Sequence, residues 1–349
     1  MNGLNDKVRK IFDTTRRRSR DWSNWYFGSV LDPADARILT VDGNAVSTLT
    51  QAHYGFQYAG QVLSLSLLCN AATIPQARGK GYMTQMVTEA LRDAYAAGDA
   101  FAAVIPHCDR LYFFYDKFGF STVIYNDVQR YTSAHRFEPA EHYMSASPDY
   151  ELFNALERRR QSTVLHSEAQ FDEVRTELAM RHGRVDACVD NSGQPAAIAF
   201  SAPSADGAEL VVEELLAVSE DAADSVLSRA KSAYPDKPVV VNAFPGDRGV
   251  SLRAHGVMRV VNVKKVLSAL AASAPNTEQV IRIHDFLIPQ NNGVFVLHDG
   301  TCTRMDHTLR RLTLDVNVRI LTSILFSSED VGRIFGLPAC RVSAAMMLD

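Results

Sequence analysis

Apolar and polar positions along residues 36–120 change their period in an ordered way. ARILTV (36–41) and AVSTLTQAHYGF (45–56) predict two strands, and Asp42-Gly43-Asn44 between them has the chemistry of a hairpin turn. A second turn at Ala59-Gly60 leads into QVLSLSLLCNAATI (61–74). There Leu63, Leu65 and Leu67 alternate with Ser64 and Ser66, a period of two that predicts a long strand buried on at least one face. Past residue 81 the period becomes helical. Met83, Met86, Val87, Ala90, Leu91 and Ala94 recur at three- and four-residue steps, the stripe of a helix lying on a sheet, and Gly98 suits its stop. FAAVIP (101–106) predicts a strand, and RLYFFYDKFGF (110–120) a short aromatic helix running into another. Ahead of all this, residues 5–20 predict an opening helix ending in the basic run RRRSR, which suits a solvated helix end or a phosphate contact.

Residues 180–245 pass through the same order: strand, turn, strand, turn, long strand, loop, helix, strand. The strands are GRVDACVD, PAAIAFSAP, AELVVEELLAV (208–218) and VVVNAF (239–244), with turns at Asn191-Ser192-Gly193 and Asp206-Gly207. The order predicts a second copy of the first domain, by element sequence and not by identity. The two copies differ at the loop before the helix. The first has Arg78-Gly79-Lys80-Gly81; the second has Ser219-Glu220-Asp221-Ala222, with Ser219 a helix cap and three acids counting Asp224. Acids there satisfy the helix dipole internally and would repel a pyrophosphate. The second copy is therefore expected to be a structural partner without a nucleotide site.

The remaining hundred residues differ in character. GVMRVVNVKKVLSALAAS (256–273) predicts a helix. QVIRIHDFLI and GVFVLHDG predict two strands joined across PQNNG, with Asn292-Gly293 suited to positive φ. RRLTLDVNV, a helix RILTSILF and a shorter helix EDVGRIFG follow. The chain ends in the apolar RVSAAMMLD, which predicts a docked rather than a frayed terminus.

Composition narrows the class. The 349 residues suggest two or three domains, and 46% hydrophobic with 22% charged residues is the profile of a soluble globular protein. A net charge of −4 argues against a general nucleic-acid binder. No apolar run reaches the length of a membrane span, and the N-terminus has no signal-peptide pattern. Five scattered cysteines (69, 108, 188, 302, 340) without a CxxC pair read as reduced thiols of a cytoplasmic protein, with neither a disulfide frame nor a metal site.

The loop carries the candidate chemistry. Closely spaced Gly79 and Gly81 let backbone N–H groups turn toward a ligand, the helix behind adds about half a positive charge, and Arg78 and Lys80 add full charges. A diphosphate site and a basic surface turn both fit these residues. GxGxxG and GxxxxGK[ST] are absent, and the hairpin-linked strands before the loop do not suit a dinucleotide-binding unit.

RGKGYM after a long strand, then an amphipathic helix, a strand and LYFFYDKFGF resembles the GCN5-related N-acetyltransferase (GNAT) superfamily. Its acetyl-CoA loop has the form [QR]-x-x-G-x-[GA]. Arg78-Gly79-Lys80-Gly81-Tyr82-Met83 fits, with Met83 where the pattern has a small residue; QARGKG (76–81) fits in a shifted register, and the helix start favours Arg78. The layout is similar to the "enhanced intracellular survival" branch, whose members tolerate a larger residue there. That branch has two acetyltransferase-like domains, the second degenerate, and a sterol-carrier-protein-like domain. The resemblance implies an α/β (α+β) fold: tandem GNAT-like mixed sheets with flanking helices at 1–140 (acetyl-CoA binding) and 141–254 (degenerate), then a sterol-carrier-like α+β domain at 255–349 whose C-terminus docks toward the first.

It also implies roles. Acetyl-CoA is the cosubstrate, held by Ala72, Thr73, Ile74, Arg78, Gly79, Lys80, Gly81, Tyr82 and Met83, with no metal. In the resembling enzymes the tyrosine of Y-x-[KR]-[FY]-G-[FY] is the general acid, here Tyr115, with Tyr112 one helical step earlier as its rival. The family uses its C-terminal carboxylate as base, here Asp349, in the dry surroundings of AAMML. Trp22, Trp25 and Tyr26, with His107 and Asp109, are candidates for the acceptor pocket, the aromatics by cation–π contact with an amine or else as core packing. The implied partners are an amine acceptor (a small molecule, an aminoglycoside or a protein lysine) and further copies of the chain, since the resembling enzymes assemble as hexamers. The competing expectation is a lipid or acyl-CoA binding protein that uses the last domain's apolar interior, with an inactive GNAT module.

Overall fold

The computed structural model describes residues 3–15, 18–246 and 251–344. They form mixed sheets flanked by helices, the α/β class expected from the sequence. The chain divides into two compact units. One holds residues up to 123 and then 256–341; the other holds 124–255 and the described residues from 342 onward. The segment read from sequence as a third domain thus packs mostly within the first unit.

In the first unit, helix Gly3–Thr15 buries Val8, Ile11 and Phe12. The single opening helix expected over 5–20 is instead two. Ser19 adopts extended backbone, accepts the N–H of Trp22 and caps a second helix, Arg20–Trp25; residues 16 and 17 lie outside the described residues. The hairpin strands Ala36–Val41 and Asn44–Tyr58 form as expected, and Asn44–Tyr58 pairs antiparallel with Gln61–Thr73. That last ladder contains a bulge. Thr48 pairs with Ala72 and Thr50 with Cys69, so Asn70 and Ala71 together face Leu49. Helix Tyr82–Ala96 buries Met86, Val87, Ala90, Leu91 and Ala94, the predicted stripe, with Met83 half-buried at its start. It returns the chain to strand Phe101–Val104, which runs parallel to Leu65–Leu67.

The predicted helix over 256–273 is corrected. Its first part belongs to strand Leu252–Val260, whose residues Val257–Val260 pair antiparallel with Phe101–Val104. Val257 through Val261 are all buried, and a continuous buried run rich in β-branched residues suits a central strand. The helix starts at Val263, where Asn262 caps the N–H of Lys265. A separate four-stranded sheet follows in the order Thr301–Met305, Gly293–His298, Gln279–His284, Leu314–Asn317. The expected PQNNG turn is part of a longer connection over 285–292: Pro289–Asn291 forms a 3-10 turn, and Gly293 alone has positive φ. Asn317 caps helix Val318–Leu325.

In the second unit the sheet runs in the order Ser121–Tyr131 (through residues 127–131), Val239–Ala243, Leu210–Ala217, Pro195–Pro203, Arg184–Val189, Met144–Ala146. Leu210–Val212 runs parallel to Val239–Val241 across helix Glu220–Ala233. Val342 and Ser343 form parallel bridges to Ile124 and Thr163, and Arg160 donates to Ser343 Oγ at 2.8 Å. No helix among the described residues is long and apolar enough to cross a membrane.

Candidate active site

The parallel ladder in the first unit is short. It joins Leu65–Leu67 to Phe101–Ala103 and then stops, although strand Gln61–Thr73 continues for six more residues. A cleft of about 860 Å³ opens past its end. One wall is Leu68–Thr73 and the facing wall is Val104–Cys108; the glycine loop and the aromatic helix Asp109–Asp116 complete it.

The loop is built as its sequence demands. Gly79 and Gly81 have φ of 76° and 81°, a region that favours glycine, and open space surrounds the position a Cβ would take at each. Gly81 caps the helix with no side chain to occupy its N–H groups. The first backbone bond of that helix runs from Gln85 N to Gly81 O, so the N–H groups ahead of it have no intrahelical partner. Arg78 donates from Nε to the carbonyl of Thr73 at 3.1 Å, which ties the loop back to the strand. Helix Glu220–Ala233 of the second unit, which also follows a strand of a parallel pair, is closed off differently. Ser219 Oγ accepts the N–H of Ala222 at 3.1 Å, and Glu220 and Asp221 fill the first turn.

Of the residues expected to hold a cofactor, Ala72, Thr73, Arg78, Gly79, Gly81, Tyr82 and Met83 line the cleft; Ile74 and Lys80 are not among its lining residues. Tyr115 lines it as well. Tyr115 is 3% exposed, with its ring against Phe114 and Phe120 at centroid distances of 5.1 and 5.7 Å. Tyr112, the rival, faces the helix-on-sheet core and is not in the lining. His107 lines the cleft and is exposed, while Asp109, also exposed, does not line it.

The aromatic trio is placed elsewhere. Trp22 and Tyr26 are buried and stack at 4.7 Å with an interplanar angle of 7°, and Trp25 meets Trp22 edge-on. None of the three lines the cleft. The cation over Trp22 is the chain's own Arg18, at 4.9 Å. Burial pushes the Tyr26 phenol well above its ordinary range, with the Cys69 thiol beside it adding to the shift. Asp349 lies outside the described residues.

Several lining residues were not singled out from sequence. Arg110, Phe113, Phe114 and Lys117 fall at steps of three, one and three, which puts them on one face of the aromatic helix and its cap; that spacing was readable. Asn70 was not readable, because its place depends on the bulge and on Tyr26.

Residues 2–123 match the family model described as an acetyltransferase (GNAT) domain. No curated protein matches the sequence. Three solved structures are similar along nearly their whole length. A probable N-acyltransferase from Enterococcus faecalis V583 is 12% identical, with a TM-score of 0.79 over 97% of this chain and 95% of that one. Eis1 from Mycobacterium abscessus is 15% identical, with a TM-score of 0.73 over 100% and 96%. A GCN5-related N-acetyltransferase from Kribbella flavida is 16% identical, with a TM-score of 0.74 over 97% and 94%. The chain thus carries a match to a GNAT acetyltransferase domain in residues 2–123 and shares the fold of these proteins almost from end to end.

Proposed function

We propose that the protein is an acetyl-CoA-dependent N-acetyltransferase acting on a primary amine: a small molecule, an aminoglycoside-like compound or a protein lysine. The observation that carries this reading is that the unfilled helix N-terminus behind Gly81 and the buried phenol of Tyr115 open into one cleft. The residues fit the cosubstrate. The N–H groups around Gly79–Met83 and the guanidinium of Arg78 receive the diphosphate, and the edge of Ala72–Thr73 runs beside the thioester arm. Arg110 and Lys117, which line the cleft, add positive charge.

Bound there, acetyl-CoA supplies an activated acyl group. The amine nitrogen forms the new C–N bond as the C–S bond breaks; the amine's surplus proton passes to a base, and the departing sulfur takes one from Tyr115. A thiol's ordinary pKa is about 8.5 and a phenol's about 10, so that last transfer is uphill by roughly 2 kcal/mol unless the site stabilises the phenolate. The C-terminal carboxylate of Asp349 is the base in this reading, and His107, which lines the cleft, contacts the acceptor. The second unit serves as a degenerate copy without a cofactor, which the acid-filled helix start after Ser219 supports. The protein is cytoplasmic and works as a homo-oligomer, like the hexamers it resembles.

A thiol-release assay over a panel of primary amines tests the activity. Tyr115→Phe is expected to lower kcat at least tenfold while leaving acetyl-CoA affinity by calorimetry unchanged; undiminished turnover would remove Tyr115 from the chemistry. Saturable binding of fatty ligands without any of acetyl-CoA would favour the lipid-binding alternative.

A further inference from the structure

Asn70 combines three features that have separate structural costs. It sits in the bulge at φ 49°, in the left-handed region. It is 1% exposed. Its Oδ1 has no hydrogen-bond partner among the described residues, although it is buried. Nδ2 is held: it donates to Tyr26 Oη at 2.7 Å and faces Thr50 Oγ1 at 3.5 Å and Cys69 Sγ at 3.8 Å. With Nδ2 turned toward these three groups, Oδ1 is left as the spare atom of the amide. Asn70 itself lines the cleft, on the strand wall two residues before Ala72. Tyr26, raised by burial and therefore neutral, is the fixed post behind it.

We infer that Asn70 orients the acceptor, its Oδ1 taking a hydrogen bond from an N–H of the attacking amine; this rests on the acetyltransferase reading above. The chemistry favours an amide over an acid here. Attack needs a neutral amine with its lone pair free. A neutral carbonyl oxygen accepts an N–H without the charge that would hold the amine protonated, whereas a carboxylate at that point would raise the amine's pKa. The aromatic stack thereby bears on the acceptor without touching it, through the Tyr26 hydroxyl.

The test uses the full chain with a panel of n-alkylamines, spermidine and a lysine peptide, the fastest serving as probe. Asn70→Gly removes the side chain and keeps a residue suited to φ 49°. It is expected to raise KM for the amine at least tenfold and to leave the acetyl-CoA Kd within twofold. Asn70→Asp is expected to move the pH profile of kcat to the alkaline side by about one unit. A purely structural role would not move that profile, so the Asp variant decides the matter even if the Gly variant unfolds. Unchanged amine KM in Asn70→Gly, or an unshifted profile in Asn70→Asp, overturns the assignment while leaving the acetyltransferase reading intact. Wild-type protein that binds acetyl-CoA and acetylates none of these amines overturns both.

Discussion

Tyr58 is buried, its ring meets those of Phe101 and Phe326 edge-on, and its hydroxyl has no hydrogen-bond partner among the described residues. Burial pushes its phenol far above the ordinary range, as it does that of Tyr26. In both, the folded state keeps a proton that the unfolded chain gives up near pH 10. Their contribution is therefore intact below pH 10 and declines above it. Each removes about 1.4 kcal/mol of stability per pH unit until its own raised pKa is reached. Tyr58→Phe should leave stability at pH 7 unchanged or slightly higher, since an unpaired buried hydroxyl is lost. It should also flatten the alkaline slope in urea unfolding between pH 9.5 and 11. An equal slope in the variant would mean that the phenol is paired or ionises in place. At this scale the sequence was informative where a residue's placement follows from its neighbours in the chain. YDKFGF singles out Tyr115 as a residue of the site, and Tyr115 lines the cleft where Tyr112 does not. Asn70 and the Arg18–Trp22 contact depend on partners far away in sequence or on an unforeseen break at Ser19, so no local pattern marks them.

At the scale of elements, the two parallel pairs differ in the loop that leads into their helix. Both loops lead from a long strand into a helix. In the first unit the helix begins at a left-handed glycine with no capping side chain; in the second it begins at Ser219, whose hydroxyl occupies a first-turn N–H. Gly81→Ala should cost about 1 kcal/mol of stability, because alanine is disfavoured at φ 81°. It should also weaken acetyl-CoA binding about tenfold or more, read by calorimetry, because the added methyl enters the open space above the helix start. Full affinity in that variant would separate the loop from the cosubstrate. The loops were legible because glycine, serine and acids each impose a local geometry. Strand Leu252–Val260 was not. In GVMRVV every position is apolar or, in Arg259, a cation whose partners lie elsewhere in the chain, so its period fits a buried strand or a helix equally well. Pairing with Phe101–Val104 decides it, and that is a contact across more than 150 residues.

That contact also bears on the molecule as a whole. The GNAT match ends at residue 123, yet the sheet that carries the cleft is completed by Val257–Val260. Arg259, with no exposed side-chain surface, donates to the carbonyl of Phe118, three residues past Tyr115, and pairs with Asp285. Asp285 in turn accepts the N–H groups of Leu287 and Ile288 and the amide of Asn291. Leu287 and Ile288 then pack into the same apolar cluster as Leu91 and Tyr115. The approach is tight enough that a Cβ at Gly119 would lie 2.6 Å from Arg259 Nη1. The segment after residue 256 is thus part of the fold around the candidate site. Replacing Arg259 by Met should cost about 3–5 kcal/mol, because it leaves Asp285 buried without its cation. A fragment ending at residue 123 should likewise not fold by itself. It would expose the Phe101–Val104 edge together with the faces of Phe56, Tyr58 and Phe101 that Phe326 covers. Expression of residues 1–123 is expected to give aggregated or molten material with no cooperative thermal transition. A soluble monomeric fragment with a sharp transition and acetyl-CoA binding would instead show that the later segment is an independent domain that merely rests on the first.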